Sequence, residues 1–160
     1  MKQLLLPIFI FVSLGLVSPA SVAFDRTQVV DDAANVSPLL IGQLDALGYQ
    51  ILAISPETPS QLQAQKLQEK FTVRLLSDSA LDTIKGFGIA FYVDEQTTSK
   101  YKSSWDIDLN QQDTSGKAVL PAPAVFILDT KGKVKFSFVN PDFKERLSPE
   151  LLLSAAKLVL

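Results

Sequence analysis

The sequence predicts an α/β sandwich built on a mixed sheet, and three observations carry that expectation. Ala124 to Leu128 is a continuous apolar run, partly β-branched and aromatic, the pattern of a strand buried on both faces. Lys133 to Val139 then alternates, with Val134, Phe136 and Phe138 on one face and Lys133, Lys135 and Ser137 on the other. Between and beyond such runs lie segments of helical spacing, several opened by a hydroxyl residue followed by proline.

The chain begins Met1-Lys2-Gln3, runs apolar from Leu4 to Val17, and continues Ser18-Pro19-Ala20-Ser21-Val22-Ala23. A short basic start, an apolar core and a small-x-small end predict an export leader, residues 1–23, cleaved after Ala23. The apolar run of 14 residues is shorter than the roughly 20 a membrane span needs. The expected address is therefore periplasmic or secreted, with no stable membrane anchor after cleavage. Residues 24–43 form a lead-in, acidic at Asp25, Asp31 and Asp32.

Pro38 to Leu47 has helical spacing, with Ser37 as N-cap, Pro38 in the first turn and Gly48 at the C-terminal cap. Tyr49 to Ser55 is a buried strand. Thr58-Pro59 opens a surface helix that shows Leu62, Leu67 and Phe71 to a core. Val73 to Leu76 is a short strand. Ser79-Ala80-Leu81-Asp82 reads as a capping box for a helix that stops at Gly86-Phe87-Gly88.

Ile89 to Val93 is strand or coil, Asp94 to Ser104 a polar helical insertion ending near Trp105, and Asp106 to Lys117 a polar loop. Pro123 lacks an N–H and so fits at the mouth of the Ala124–Leu128 strand. Asp129-Thr130-Lys131-Gly132 is the turn that follows, with Gly132 free to take a positive φ. The alternating lysines suit an edge strand. Ser148 caps a last helix that starts at Pro149 and places Glu150 where an anion suits the helix dipole. Leu151 to Leu160 is apolar nearly all round, which predicts a well-covered helix.

Composition narrows the chemistry. Removal of the leader leaves 137 of 160 residues, and only Lys2 is lost among the charged groups, so the remaining 14 basic and 17 acidic residues give a net charge of −3. No basic cluster interleaved with aromatics points to nucleic acid. The chain has no cysteine and no histidine. Thiolate chemistry, disulfides, Cys/His zinc sites and histidine-based general catalysis are thereby excluded, and no cofactor is expected.

The residues of the C-terminal half carry a family resemblance. Leu120-Pro121-Ala122-Pro123 before the buried strand, Val139-Asn140-Pro141-Asp142-Phe143 after the hairpin and Arg146-Leu147-Ser148-Pro149-Glu150 at the last helix resemble the alkyl hydroperoxide reductase/thiol-specific antioxidant family. Gly48 to Pro59, and Leu75-Leu76-Ser77-Asp78 followed by Phe87-Gly88, are similar to it as well. The resemblance implies a thioredoxin-like three-layer sandwich over residues 44–160 and a thiol peroxidase or disulfide oxidoreductase activity. It implies that Pro123 is usually cis and faces the redox cysteine.

The cysteine-bearing part is missing. Val36 to Gln43 resembles the start of the mature family domain and Leu44 onward the end of its cysteine-bearing helix. In the family, a central strand ending in the cysteine motif lies between the strands corresponding to Gln50–Ile54 and Ala124–Leu128. Those two strands are expected to pair directly and in parallel, or to drive homo-oligomerisation through the open edge. The function expected is that of an exported, redox-inactive family member. The alternative is a binding module that holds a peptide or partner at the surface around Pro123.

Other candidate sites read more plainly as structure. Asp106 and Asp108 beside Trp105 form one short spacing in a polar loop. Asp94-Glu95 and Asp31-Asp32 lack the oxygen-ligand repeat of a calcium loop. Ser77-Asp78-Ser79 reads as a helix start, and Tyr101 and Trp105 are spaced to face a core.

Overall fold

A computed structural model of the chain describes residues 9–14, 38–66, 73–105, 109, 116–142 and 145–160. Its elements are β1 (Phe9–Leu14), α1 (Pro38–Ala46), β2 (Tyr49–Ser55), α2 (Pro59–Lys66), β3 (Arg74–Ser77) and α3 (Asp82–Gly86). There follow β4 (Ala90–Tyr92), α4 (Glu95–Trp105), β5 (Val119–Pro121), β6 (Ala124–Leu128), β7 (Val134–Val139) and α5 (Pro149–Leu158). Five strands form one sheet in the order β3-β2-β1-β6-β7, and β4 and β5 pair as a separate ribbon. This is the three-layer α/β sandwich on a mixed sheet that the sequence implies, without a cysteine-bearing central strand and its helix.

Side-chain alternation along the buried strands sorts the core into two layers. Tyr49, Ile51 and Ala53 of β2, with Val125 and Ile127 of β6, pack against Leu40 and Leu44 of α1 and Leu152, Ala155 and Ala156 of α5. Ile54, Ala124 and Phe126 point the other way, to Leu81, Ile84, Ile89 and Val119. There the Phe87 and Phe126 rings meet at 4.7 Å, tilted by 46°. A smaller cluster of Leu109, Ala118 and Leu120 takes Tyr101 of α4 and Val93 against it, so Tyr101 faces a core.

Local signals explain most boundaries. Gly48 ends α1 with φ 83°, and Thr58 opens α2 by accepting the Gln61 N–H at 3.4 Å. Gln61 Oε1 in turn accepts the Thr58 N–H at 2.9 Å, which makes Thr58 to Gln61 a reciprocal capping box. The β6–β7 turn has Gly132 at φ 78°, and Asp129 Oδ1 accepts N–H groups from Lys133 at 3.0 Å and Lys131 at 2.9 Å. Those bonds, the Lys133 one first, hold the Asp129 carboxyl below the usual carboxylate range. The Ser148 hydroxyl accepts the Leu151 N–H at 3.2 Å, with Pro149 in the first turn of α5. At Asp94 the Thr97 N–H donates at 2.8 Å and the Thr97 hydroxyl at 2.9 Å, so that carboxylate caps α4 and is likewise held low.

Three expectations are corrected. Strands β2 and β6 do not pair with each other. β1 lies between them, antiparallel to β2 (Phe9 opposite Ile54, Leu14 opposite Tyr49) and parallel to β6 (Ile10 opposite Val125), so β2 and β6 run in opposite senses. The physical reason is pairing demand: a strand buried on both faces leaves its N–H and C=O groups without water, and β1 supplies partners to both. Secondly, the cap of α3 is not Ser79 but Asp78, as described below. Thirdly, α5 is covered on one face only: Leu151 is 53 % and Leu158 85 % exposed. Helix α1 and the sheet take the opposite face of α5, and among the described residues nothing covers the outer one. Ser37, Leu67, Phe71, residues 24–36 and most of the 106–117 loop lie outside the described residues. No described helix is long and apolar enough to cross a membrane.

One hydrogen bond ties the first layer to the sheet. The Tyr49 hydroxyl donates to the Ala156 carbonyl at 2.7 Å in a buried setting, and burial raises the phenol above its ordinary 10.0. The folded state therefore holds this proton more tightly than the unfolded chain. The resulting stability is whole below pH 10 and is lost as pH climbs through the raised value. Tyr49→Phe is expected to lower the unfolding free energy by about 1–2 kcal/mol in urea melts. Above pH ~10, wild type should lose stability more steeply than the variant; parallel alkaline slopes would show the phenol to be uninvolved.

Candidate functional site

The strand directions gather the chemically interesting residues at one end of the sheet. The end of β2 (Ser55), the beginning of β1 (Phe9) and the beginning of β6 (Ala124) are neighbours, and β7 finishes beside them at Val139. Pro123 sits there, just before β6, in the segment joining it to β5. The Ala122 N–H donates to the Ile89 carbonyl at 2.8 Å and the Pro123 carbonyl accepts from the Asn140 N–H at 3.0 Å. Pro123 is buried and its peptide bond is trans, where the resemblance implies cis. Exposed aromatic surface near this segment comes from Phe91 and Tyr92 of β4, which pair with Leu120 and Val119 of β5. Lys117 lies 5.7 Å over the Tyr92 ring.

The hydroxyl and carboxyl groups at this end have structural work. Ser55 is wholly buried, donates to Glu57 Oε2 at 3.1 Å and accepts the Glu57 N–H at 3.3 Å, a side chain–backbone turn. The Ser77 hydroxyl donates to the Glu57 carbonyl at 2.6 Å. The Asp78 N–H donates to the Ser55 carbonyl at 2.7 Å, so the ends of β2 and β3 are laced together. Asp78 is buried and spends both oxygens on α3, taking the Thr83 N–H at 3.0 Å and the Ile84 N–H at 2.9 Å. The Ser77-Asp78-Ser79 segment is thus a helix start. The spacing pointed to Ser79, but the cap reaches in from outside the first turn, a geometry that no local motif announces.

The position before α3 is strained. Leu81 has φ 62° and ψ 20°, left-handed backbone that costs a non-glycine residue roughly 1–2 kcal/mol. Its side chain is almost wholly buried, which contributes about 1.5–3 kcal/mol. Burial wins, and the Asp78 bonds hold the turn in place.

A family nucleophile has no counterpart at this end. In the family, the central strand ends at a cysteine facing the proline, which requires a strand running antiparallel to β6. β1 runs parallel to β6, so its first residue and not its last lies beside the Pro123 segment. The remaining sequence candidates do not converge here. Trp105 ends α4, Asp106, Asp108, Asp31, Asp32 and Ala23 lie outside the described residues, and Asp94 is occupied with Thr97. Among the described residues, no three acidic, histidine or cysteine side chains group as metal ligands.

The fold and the proline-led strand define a thioredoxin-like protein of the peroxiredoxin type. A model of the AhpC/TSA family matches residues 21–137, and the chain belongs to that family. Among solved structures it is similar to the bacterioferritin comigratory protein of Xanthomonas campestris, solved in trapped intermediate and ligand complexes that bear on its alkyl peroxide reduction activity. That likeness has 12 % identity and a TM-score of 0.55, over 95 % of this chain and 79 % of the other, and at this identity it shows the fold alone. A search of curated proteins gives no match.

Replacing Asp78 by Ala leaves the Thr83 and Ile84 N–H groups without their acceptor. The expected loss is about 2 kcal/mol, read as a lower urea midpoint at unchanged slope. A variant as stable as wild type would show that α3 needs no cap from β3.

Proposed function

We infer that this chain is an exported member of the AhpC/TSA family with no redox activity. The observation that carries the reading is compositional: 160 residues contain no cysteine and no histidine. Thiol peroxidases attack the O–O bond with a thiolate held at low pKa. A serine hydroxyl holds its proton far too tightly to stand in without a base. Ser55 and Ser77 already donate to Glu57, in turns whose geometry serves the ends of β2 and β3. At the Pro123 end of the sheet, Asp78 likewise spends both oxygens on the start of α3, which supports the same reading.

Two measurements test it. Purified full chain, given hydrogen peroxide or an alkyl hydroperoxide with dithiothreitol, is expected to consume peroxide no faster than buffer, before or after treatment with an alkylating agent. A rate above buffer that survives alkylation overturns the inactivity. For the address, intact mass of the protein from fractionated cells is expected to correspond to a chain beginning at Phe24 outside the cytoplasm. A full-length mass confined to the cytoplasm rules out export.

A further inference from the structure

We propose that folding and leader removal are mutually exclusive fates of this chain: the sheet requires residues 9–14 as its middle strand, so the folded protein is one that keeps its N-terminal segment. The inference concerns what that segment does for the fold, and it stands apart from the export reading.

Two roles fall on one segment. Phe9 to Leu14 lies inside the apolar run that reads as a cleavable leader, and the same residues form β1. The whole of β1 pairs with β2, from Phe9 opposite Ile54 to Leu14 opposite Tyr49. Ile10 to Ser13 pair on the other edge with β6, from Val125 to Leu128. A strand laddered on both edges is part of the sheet, not a tail attached to it.

Among the described residues, nothing else can take its place. Without β1 the sheet divides into β3-β2 and β6-β7, and a pair of strands is marginal on its own. The first core layer draws on both halves, since Tyr49, Ile51 and Ala53 of β2 and Val125 and Ile127 of β6 pack with α1 and α5. Direct pairing of β2 with β6 moves the halves together by one strand spacing, about 4.8 Å, against that packing. β4 and β5 are not spare strands. They pair with each other, and the Ala122 N–H to the Ile89 carbonyl and the Val93 N–H to the Ala118 carbonyl close the two ends of the ribbon. The facing edges of β2 and β6 would be left buried without partners, a cost that a domain's small stability does not cover. A cut after Ala23 made before β6 has paired therefore yields a product without a stable sheet. A cut made after folding leaves residues 9–14 held by both ladders.

The test uses the full chain with an engineered protease site after Ala23. Uncut, it is expected to unfold in urea in one cooperative transition. Cut after folding, it should keep residues 1–23 through gel filtration, with the amides of β2 and β6 still protected. Once urea has released that peptide and it has been removed, dilution of the remainder should restore no cooperative transition. The amides of β2 and β6 should then exchange at least about a hundredfold faster than in the uncut chain. In the uncut chain, Val12→Pro, which removes a ladder N–H, should lower the urea midpoint, whereas Val12→Ile, which keeps it, should not. A remainder with a cooperative transition of its own overturns the proposal. So does release of residues 1–23 from the cut chain while the sheet amides stay protected, or Val12→Pro as stable as Val12→Ile. An uncut chain with no cooperative transition overturns it as well. A chain beginning at Phe24, recovered outside the cytoplasm and melting cooperatively, sinks this inference and leaves export standing. A full-length mass confined to the cytoplasm, from a chain that melts cooperatively, rules out export and supports this inference.

Discussion

A strand covered on both faces has no access to water, so its backbone groups must find partners in the plane of the sheet. β2 and β6 are such strands, and the sheet is organised by what pairs with their facing edges. Each group buried without a partner costs roughly 1–3 kcal/mol, and a domain is stable by only about 5–15 kcal/mol, so a handful of vacancies outweighs everything else that folding gains. That requirement explains why an N-terminal apolar run occupies the centre, and why it is accepted there in a direction foreign to the family's strand. Pairing is indifferent to origin; it needs only an extended backbone and side chains that tolerate apolar walls on both sides.

The same constraint separates fold from chemistry in this protein. A family whose activity depends on one residue at the end of its central strand retains the sandwich when another segment fills that place. What it does not retain is the orientation that carries a side chain to the proline. The residues left at that end of the sheet, Ser55, Glu57, Ser77 and Asp78, have their hydrogen-bonding capacity directed into the ends of β2 and β3 and the start of α3. They close the sheet.

Much of this was legible in the residues because the signals were local. The Ala124–Leu128 run, the turn with Gly132 at positive φ, the alternating lysines at the edge, and the proline-led starts of α2 and α5 were all read from short windows, as was Gly48 at the end of α1. What escaped was non-local. An apolar run of leader length has no periodicity that distinguishes an export signal from a buried strand. The reciprocal cap between Thr58 and Gln61 has a readable spacing, whereas Asp78 caps from beyond the first turn and has none. The outer face of α5 shows the converse failure: Leu151 and Leu158 read as covered because they are apolar, yet coverage depends on neighbours that composition does not supply. For the site, the absence of cysteine and histidine was plain from composition; the buried, trans Pro123 was not.

The pairing of Ile10 with Val125 joins residues 115 positions apart in the sequence. Contacts so distant along the chain close large loops and form slowly, since the entropy of closure is spent before the contact is made. During synthesis, β1 is therefore ordered late, because β6 is translated more than a hundred residues after it. Over that interval the apolar run waits for its partner, and the rate of ordering, rather than equilibrium stability, sets how long the wait lasts.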